Sequence, residues 1–203
     1  MIKKLTLSLG ILLVMGGIAS ANTDKHQAFA QKLAAEAIEV VMADVETSKK
    51  IDNFTKLFKE ACDLNAVGKF VVGRYWKNAS MEQQQRFLDT FADAIIMSWA
   101  SKFNTFKGGT LTADNATKDD KSGDVFVNST FKFNDGSPDA KVMWRLRDTD
   151  AGIKIFDIII EGISMAMSYR NEYASVLQQN NGNLDALIDS LKQKTAAMRK
   201  SFN

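Results

Sequence analysis

The stretch "IKIFDIIIEGISMAMSYRNEY", residues 153–173, decides the fold. A β-branched run from Ile153 to Ile160 stops at Gly162 and gives way to a helical pattern from about residue 163. Locally, Gly162-Ile163-Ser164-Met165-Ala166 has the form G-x-S-x-A between a strand and a helix, the setting of a nucleophilic serine in α/β hydrolases. The rest of the chain argues against that chemistry. A serine nucleophile needs a base, and the one histidine, His26, falls near a mature N-terminus, where order is expected to be poor. A hydrolase sheet also needs strands alternating with helices, whereas the strand ending here is the last of four in succession. Ser164 is therefore expected to satisfy the free N–H groups of a helix's first turn.

Working back from Ile153, residues 110–162 follow period 2. Strands are expected at about 110–117, 124–133, 140–148 and 153–161, separated by turn signals around Gly123, Asn134–Pro138 and Asp148–Gly152. The connections are short, so neighbours should pair antiparallel as a meander. Matching apolar faces sets the expected register: Val127 and Phe131, then Val142, Trp144 and Leu146, then Phe156, Ile158 and Ile160, all on one surface. On the opposite face, Asp157 and Glu161 are expected to pair with Arg145 or Lys141.

Outward from the strands the chain reads as helix. Residues 24–47 and 51–61 carry apolar positions at helical spacing, and "LNAVGKFVVGRYW" (64–76) is densely apolar. Ser80 with Gln83 forms a capping-box pattern opening a helix expected to reach about Phe106. Its wide stripe comprises Phe87, Leu88, Phe91, Ile95, Ile96, Trp99 and Phe103. Further helices are expected from 163 to about Gln179 and from Asn183 to about Lys200. Helices flanking one antiparallel sheet make an α+β chain.

At the N-terminus, Lys3 and Lys4 precede an apolar run from Leu5 to Ile18, and Ala19-Ser20-Ala21 follows. This is the pattern of a cleaved secretory signal peptide at 1–21, too short to span a bilayer, leaving 22–203 as one domain. Loss of the two lysines brings 26 basic residues down to the 24 acids, so the mature chain is formally neutral, unlike a nucleic-acid binder. A lone Cys62 forms no intrachain disulfide and reads as a small buried hydrophobe. No His or Cys pairing suggests a metal, and no glycine-rich loop suggests a bound phosphate cofactor. What remains is a surplus of apolar surface, which fills either a solid core or the wall of a cavity for an apolar ligand.

Two segments carry a family resemblance: "AVGKFVVGRYWKNASMEQQQRFLDTFADAI" and "FDIIIEGISMAMSYRNEYASVLQQNNGNLDALIDSLKQK". Gly73-Arg74-Tyr75-Trp76, Ser80 with Gln84 and Arg86, Phe87, Phe91, Asp157, Glu161-Gly162, Ser164 and Tyr169-Arg170 jointly resemble the MlaC, or toluene-tolerance, family. Ser168 departs from it, standing where many members have Asn. The resemblance implies a curved, four-stranded NTF2-like antiparallel sheet packed by helices, with an apolar pocket between them. It implies a soluble periplasmic phospholipid carrier, with no enzymatic activity and no cofactor beyond the lipid cargo. The partners it implies are an inner-membrane MCE-domain protein of an ABC transporter and an outer-membrane lipoprotein–porin complex, met by a monomer. Strand parity and the helix stripe then nominate the pocket wall: Phe70, Val71, Trp76, Phe91, Ile95, Trp99, Phe103, Val127, Phe131, Val142, Trp144, Phe156, Ile158, Ile160, Ile163 and Met165. Carriage of another apolar lipid, such as a hopanoid, and an exported adaptor with a solid core are the competing readings.

Overall fold

The computed structural model describes residues 23–200 and 202, so the signal peptide expected at 1–21 lies outside the described residues. Three helices lead: α1 (Asp24–Met42), α2 (Thr47–Ala61) and α3 (Leu64–Val72). A 3₁₀ segment (Gly73–Asn78) connects them to α4 (Met81–Ala100). The meander follows, with β1 (Gly109–Lys118), β2 (Val125–Phe133), β3 (Ala140–Thr149), β4 (Gly152–Ile160) and β5 (Ile163–Ser164), and then α5 (Met165–Gln179) and α6 (Leu184–Lys200).

The capping box of α4 is complete. The Gln83 N–H donates to Ser80 Oγ at 3.1 Å, and the Ser80 N–H donates to Gln83 Oε1 at 3.0 Å. The helix stops at Ala100, short of the expected 106. Beyond it the Ser101 and Thr105 hydroxyls bond the carbonyls of Ser98 and Lys102, and short polar side chains of this kind compete with helical bonding.

The sheet runs in the order β1-β2-β3-β4-β5, with every pair antiparallel. The fifth strand corrects the expected four. Glu161 and Gly162 both take positive φ, 49° and 79°, between the paired residues Ile160 and Ile163. Two left-handed residues make a tight hairpin, so the chain folds back on β4 instead of leaving the sheet.

The expected register holds at its centre: Val127 pairs Trp144, which pairs Ile158, and Ser129 pairs Val142, which pairs Ile160. It fails at Phe156. Arg145 pairs Asp157 while Leu146 pairs Ile155, so Phe156 is the extra residue of a β-bulge. Ile155 takes its place beside Leu146 in the core, and the Phe156 ring packs on Arg145 and Arg147.

Three apolar clusters organise the packing. In the first, Ala30, Leu33 and Ala34 of α1 bury the sheet face formed by Leu111, Val125, Val127, Val142, Trp144, Leu146 and Ile155. The second is a helical lobe in which Val71, Val72 and Trp76 meet Phe87 and Phe91 of α4, Tyr173 and Leu177 of α5, and Leu187 and Leu191 of α6. The third joins α1, α2 and α4 through Val41, Phe54, Ile96, Met97 and Phe103. The helical lobe meets the sheet along β4, where the Asp63 N–H donates to the Ile155 carbonyl at 3.0 Å and Lys154 Nζ donates to the Glu60 carbonyl.

Candidate functional site: a cleft where β4 meets the helical lobe

An apolar cleft opens along this seam. Ile155, Phe156, Asp157 and Ile158 of β4 form one wall. Phe91, Ile95 and Trp99 of α4 line it too, with Phe58 of α2, Cys62 of the link after it, Leu64 and Val67 of α3, and Met165, Ala166 and Tyr169 of α5. Its volume is about 50 Å³, a third of the roughly 150 Å³ apolar cavity that holds one benzene. The bulge builds the wall: with Phe156 displaced from the ladder, Ile155, Phe156 and Asp157 are all buried in succession.

Asp157 is the one charged side chain in the lining among the described residues. It accepts from Ser164 Oγ and from the Ala166 N–H, the latter at 2.9 Å. Ser164 Oγ in turn accepts from the Met167 N–H at 3.0 Å, making Ser164 the N-cap of α5. The serine is thus held as a cap. Asp157 was expected to bond Arg145 or Lys141; instead its carboxylate closes the first turn of α5, and Arg145 turns to Asp124. Glu161 accepts from the Lys141 backbone N–H.

His26 differs from expectation as well. It is buried within α1, with Nε2 3.3 Å from Asp148 Oδ1. Asp148 pairs Ile153, whereas Ser164 sits on the ladder opposite Ile159. Along the strand those positions lie roughly 20 Å apart at about 3.4 Å per residue, too far for a serine–histidine pair. Cys62 lines the cleft as a thiol whose pKa burial has pushed up to about 12, the charge of Lys154 opposing only weakly. Burial, reinforced by Glu172, also raises the Tyr169 phenol. No group of three or more His, Cys, Asp or Glu among the described residues could hold a metal ion.

Of the nominated residues, the cleft brings together Phe91, Ile95, Trp99, Phe156, Ile158 and Met165. Val127, Val142 and Trp144 lie in the sheet–α1 cluster, with Phe131 packed against it, because α1 covers that part of the face. Ile160, partly buried, pairs Val142 beyond Ile158. Val71 and Trp76 are consumed by the helical lobe, and Phe103 by the third cluster. Phe70 sits just outside, edge-on to Phe156 at 5.5 Å. Ile163 is 60% exposed on β5. The cleft is also lined by Phe58, Cys62, Leu64, Val67, Ile155, Asp157, Ala166 and Tyr169, which strand parity and the helix stripe did not nominate. The signal available for Phe58 and Val67 is the apolar spacing of 51–61 and 64–76, which shows a buried face and not what covers it.

The fold and cleft define a small α+β module in which a helical lobe closes against one edge of an antiparallel meander. The same fold is seen in a phospholipid-binding protein from Ralstonia solanacearum solved in complex with a phospholipid (TM-score 0.75, 22% identity, covering 85% of this chain and 98% of that one). The model of the family described as MlaC protein matches residues 31–193, and the chain belongs to that family. It is 24% identical over 152 residues to toluene tolerance protein ttg2D of Pseudomonas putida, spanning 74% of this chain and 69% of the relative. It is 22% identical over 138 residues to the intermembrane phospholipid transport system binding protein MlaC of Haemophilus influenzae, spanning 66% of this chain and 63% of that one.

Proposed function

We propose that this chain is a phospholipid carrier that holds acyl chains in the cleft between β4 and the helical lobe and performs no covalent chemistry. The observation that carries the reading is an almost wholly apolar cleft in a chain of the MlaC family. The relatives that are a phospholipid transport system binding protein and a phospholipid complex point the same way.

The physical need is plain. Exposing acyl chains to water costs about 0.8 kcal/mol per methylene, so roughly 30 methylenes cost on the order of 20 kcal/mol. A carrier offsets that cost only if it can enclose them. At about 50 Å³ the cleft admits no acyl chain as it stands, so loading parts the helical lobe from the sheet. Parting them extends the wall along β4 from Ile158 to Ile160, the next residue on the same sheet face, while α1 keeps Trp144 and Val142 covered. Phe91, Ile95, Trp99, Phe156 and Met165 form the remainder of the acyl site.

In this reading residues 1–21 direct export and are removed, and residues 22–203 act as one domain in the periplasm. No helix among the described residues is long and apolar enough to cross a membrane. The carrier exchanges lipid with an inner-membrane MCE-domain protein of an ABC transporter and with an outer-membrane lipoprotein–porin complex. Lipid exchange between donor vesicles and the purified chain tests the reading: uptake of phospholipid supports it, and no uptake contradicts it.

A further inference from the structure

Beside the cleft, on the face of the sheet opposite Trp144 and Leu146, lies a charged cluster that the acyl site does not use. Asp124 is fully buried and accepts from Arg145 Nε at 2.6 Å and from Arg147 Nε and Nη2 at 2.7 and 3.0 Å. The two arginines alternate along β3 and share a face. Their guanidinium carbons stand 4.6 and 4.3 Å from the centre of the Phe156 ring. Their side chains remain 28% and 33% exposed. Both Nη groups of Arg145 and Nη1 of Arg147 have no protein acceptor among the described residues.

Two guanidinium groups against one carboxylate leave one positive charge. Asp119, whose charge also reaches Arg145, accepts from the Ser122 N–H and hydroxyl and makes no hydrogen bond to either arginine; two further carboxylates are engaged elsewhere. Asp157, opposite Arg145 in the ladder, accepts from the first turn of α5, and Asp63, whose charge reaches Arg147, accepts from the Ala66 N–H at 3.0 Å as the N-cap of α3. Each faces the positive end of a helix dipole, about half an elementary charge. Phe156 is at once a wall of the cleft and the surface on which the guanidinium groups stack, so the free N–H edges lie one ring away from the acyl site.

The geometry points to a phosphate site at the cleft's rim: Arg145 and Arg147 hold the phosphate of the lipid whose chains occupy the cleft. This assignment rests on the carrier reading and deepens it. A guanidinium fork matches two phosphate oxygens, and forks already fixed by Asp124 and Phe156 lose little freedom on binding. A single net positive charge suits a phosphodiester whatever alcohol it carries, so the site selects for phosphate.

Vesicles containing either phosphatidylglycerol or diacylglycerol test this, with the lipid loaded per protein quantified by mass spectrometry. In Arg147→Gln the Arg145–Asp124 pair stays in place. The variant is expected to load phosphatidylglycerol about tenfold less well than wild type, a difference of about 1.4 kcal/mol, and diacylglycerol equally well. Arg147→Lys keeps the charge on Asp124 but lacks the fork, and it guards against a glutamine variant that fails to fold. Its phosphatidylglycerol loading should fall severalfold with diacylglycerol unchanged. Undiminished phosphatidylglycerol loading in a folded variant of either kind overturns the site. Calorimetric binding of inorganic phosphate that the glutamine variant loses, with lipid loading intact, overturns it in favour of a site for free phosphate. Wild-type protein that takes up neither lipid defeats the carrier reading, and the site with it.

Discussion

Replacing Asp124 by Asn tests the electrostatic frame of the sheet. The carboxylate accepts three hydrogen bonds from two arginines and is fully buried. Burial alone would raise its pKa, but the bonds from Arg147 and Arg145, with their charges, outweigh burial and hold it below the ordinary carboxylate value. Breaking a buried pair costs about 3–5 kcal/mol when the surviving charge stays buried. Here the arginines are about a quarter to a third exposed and regain water, which reduces the expected cost to roughly 2–4 kcal/mol. For a chain of this size that lowers Tm by about 4–16 °C. The pH dependence follows from the same shift. A depressed pKa contributes stability that is complete above the unfolded value near 4 and is lost as pH falls through the folded value. Urea unfolding at pH 7 and at steps down to pH 3 measures both effects. The variant should be weaker at pH 7, and its stability should fall less steeply below pH 4 than that of wild type. A loss under 1 kcal/mol at pH 7, or an identical acid slope, would refute the reasoning.

Ser164→Ala should cost about 0.5–2 kcal/mol in chemical denaturation as a lost N-cap and leave lipid transfer intact in the folded protein; abolished function without unfolding would revive a catalytic serine. Val67→Trp places an indole in the cleft from a half-buried position. It should reduce lipid uptake at least tenfold, with an overpacking cost of about 1–3 kcal/mol seen in thermal melts, and normal uptake would move the acyl site elsewhere. With its thiol pushed up to about 12 by burial, Cys62 should resist iodoacetamide at pH 8 in the native protein and react once urea unfolds it. Rapid native alkylation, read by intact mass, would contradict the burial of this thiol in the cleft lining.

Local chemistry carried much of the fold. The Ser80–Gln83 box, the alternation in β2 and β3, and the turn residues each name one structure, and each is present. The register was legible wherever a slip would have exposed Val127, Trp144 or Ile158. It was not legible at Phe156, because a bulge changes strand parity without changing composition. The fifth strand was hidden for a related reason: Gly162 reads as a stop, while the hairpin also requires Glu161 to take positive φ, which its side chain does not announce.

The site was less legible than the fold because parity tells which face is apolar but not what covers it. Trp144 and Ile158 share a face, yet α1 lies over the cluster that holds Trp144 and the cleft lies over Ile158. Similarly, Phe91 and Phe103 belong to one helical stripe, but α4 ends between them and sends Phe103 to another cluster. Tyr169 and Arg170 were visible only as parts of a family pattern, and Asp157 also as a charged position on the polar face of its strand. Their places, Asp157 and Tyr169 in the cleft and Arg170 donating to the Phe70 carbonyl at 2.9 Å beside it, follow from packing between distant segments.

The most direct test of the carrier reading is mass spectrometry on the mature chain, purified without detergent and extracted with organic solvent, before and after incubation with phospholipid vesicles. The account predicts a diacyl phospholipid in stoichiometric amount, lost in Val67→Trp. Protein that carries no lipid from its source and takes none from vesicles would contradict it.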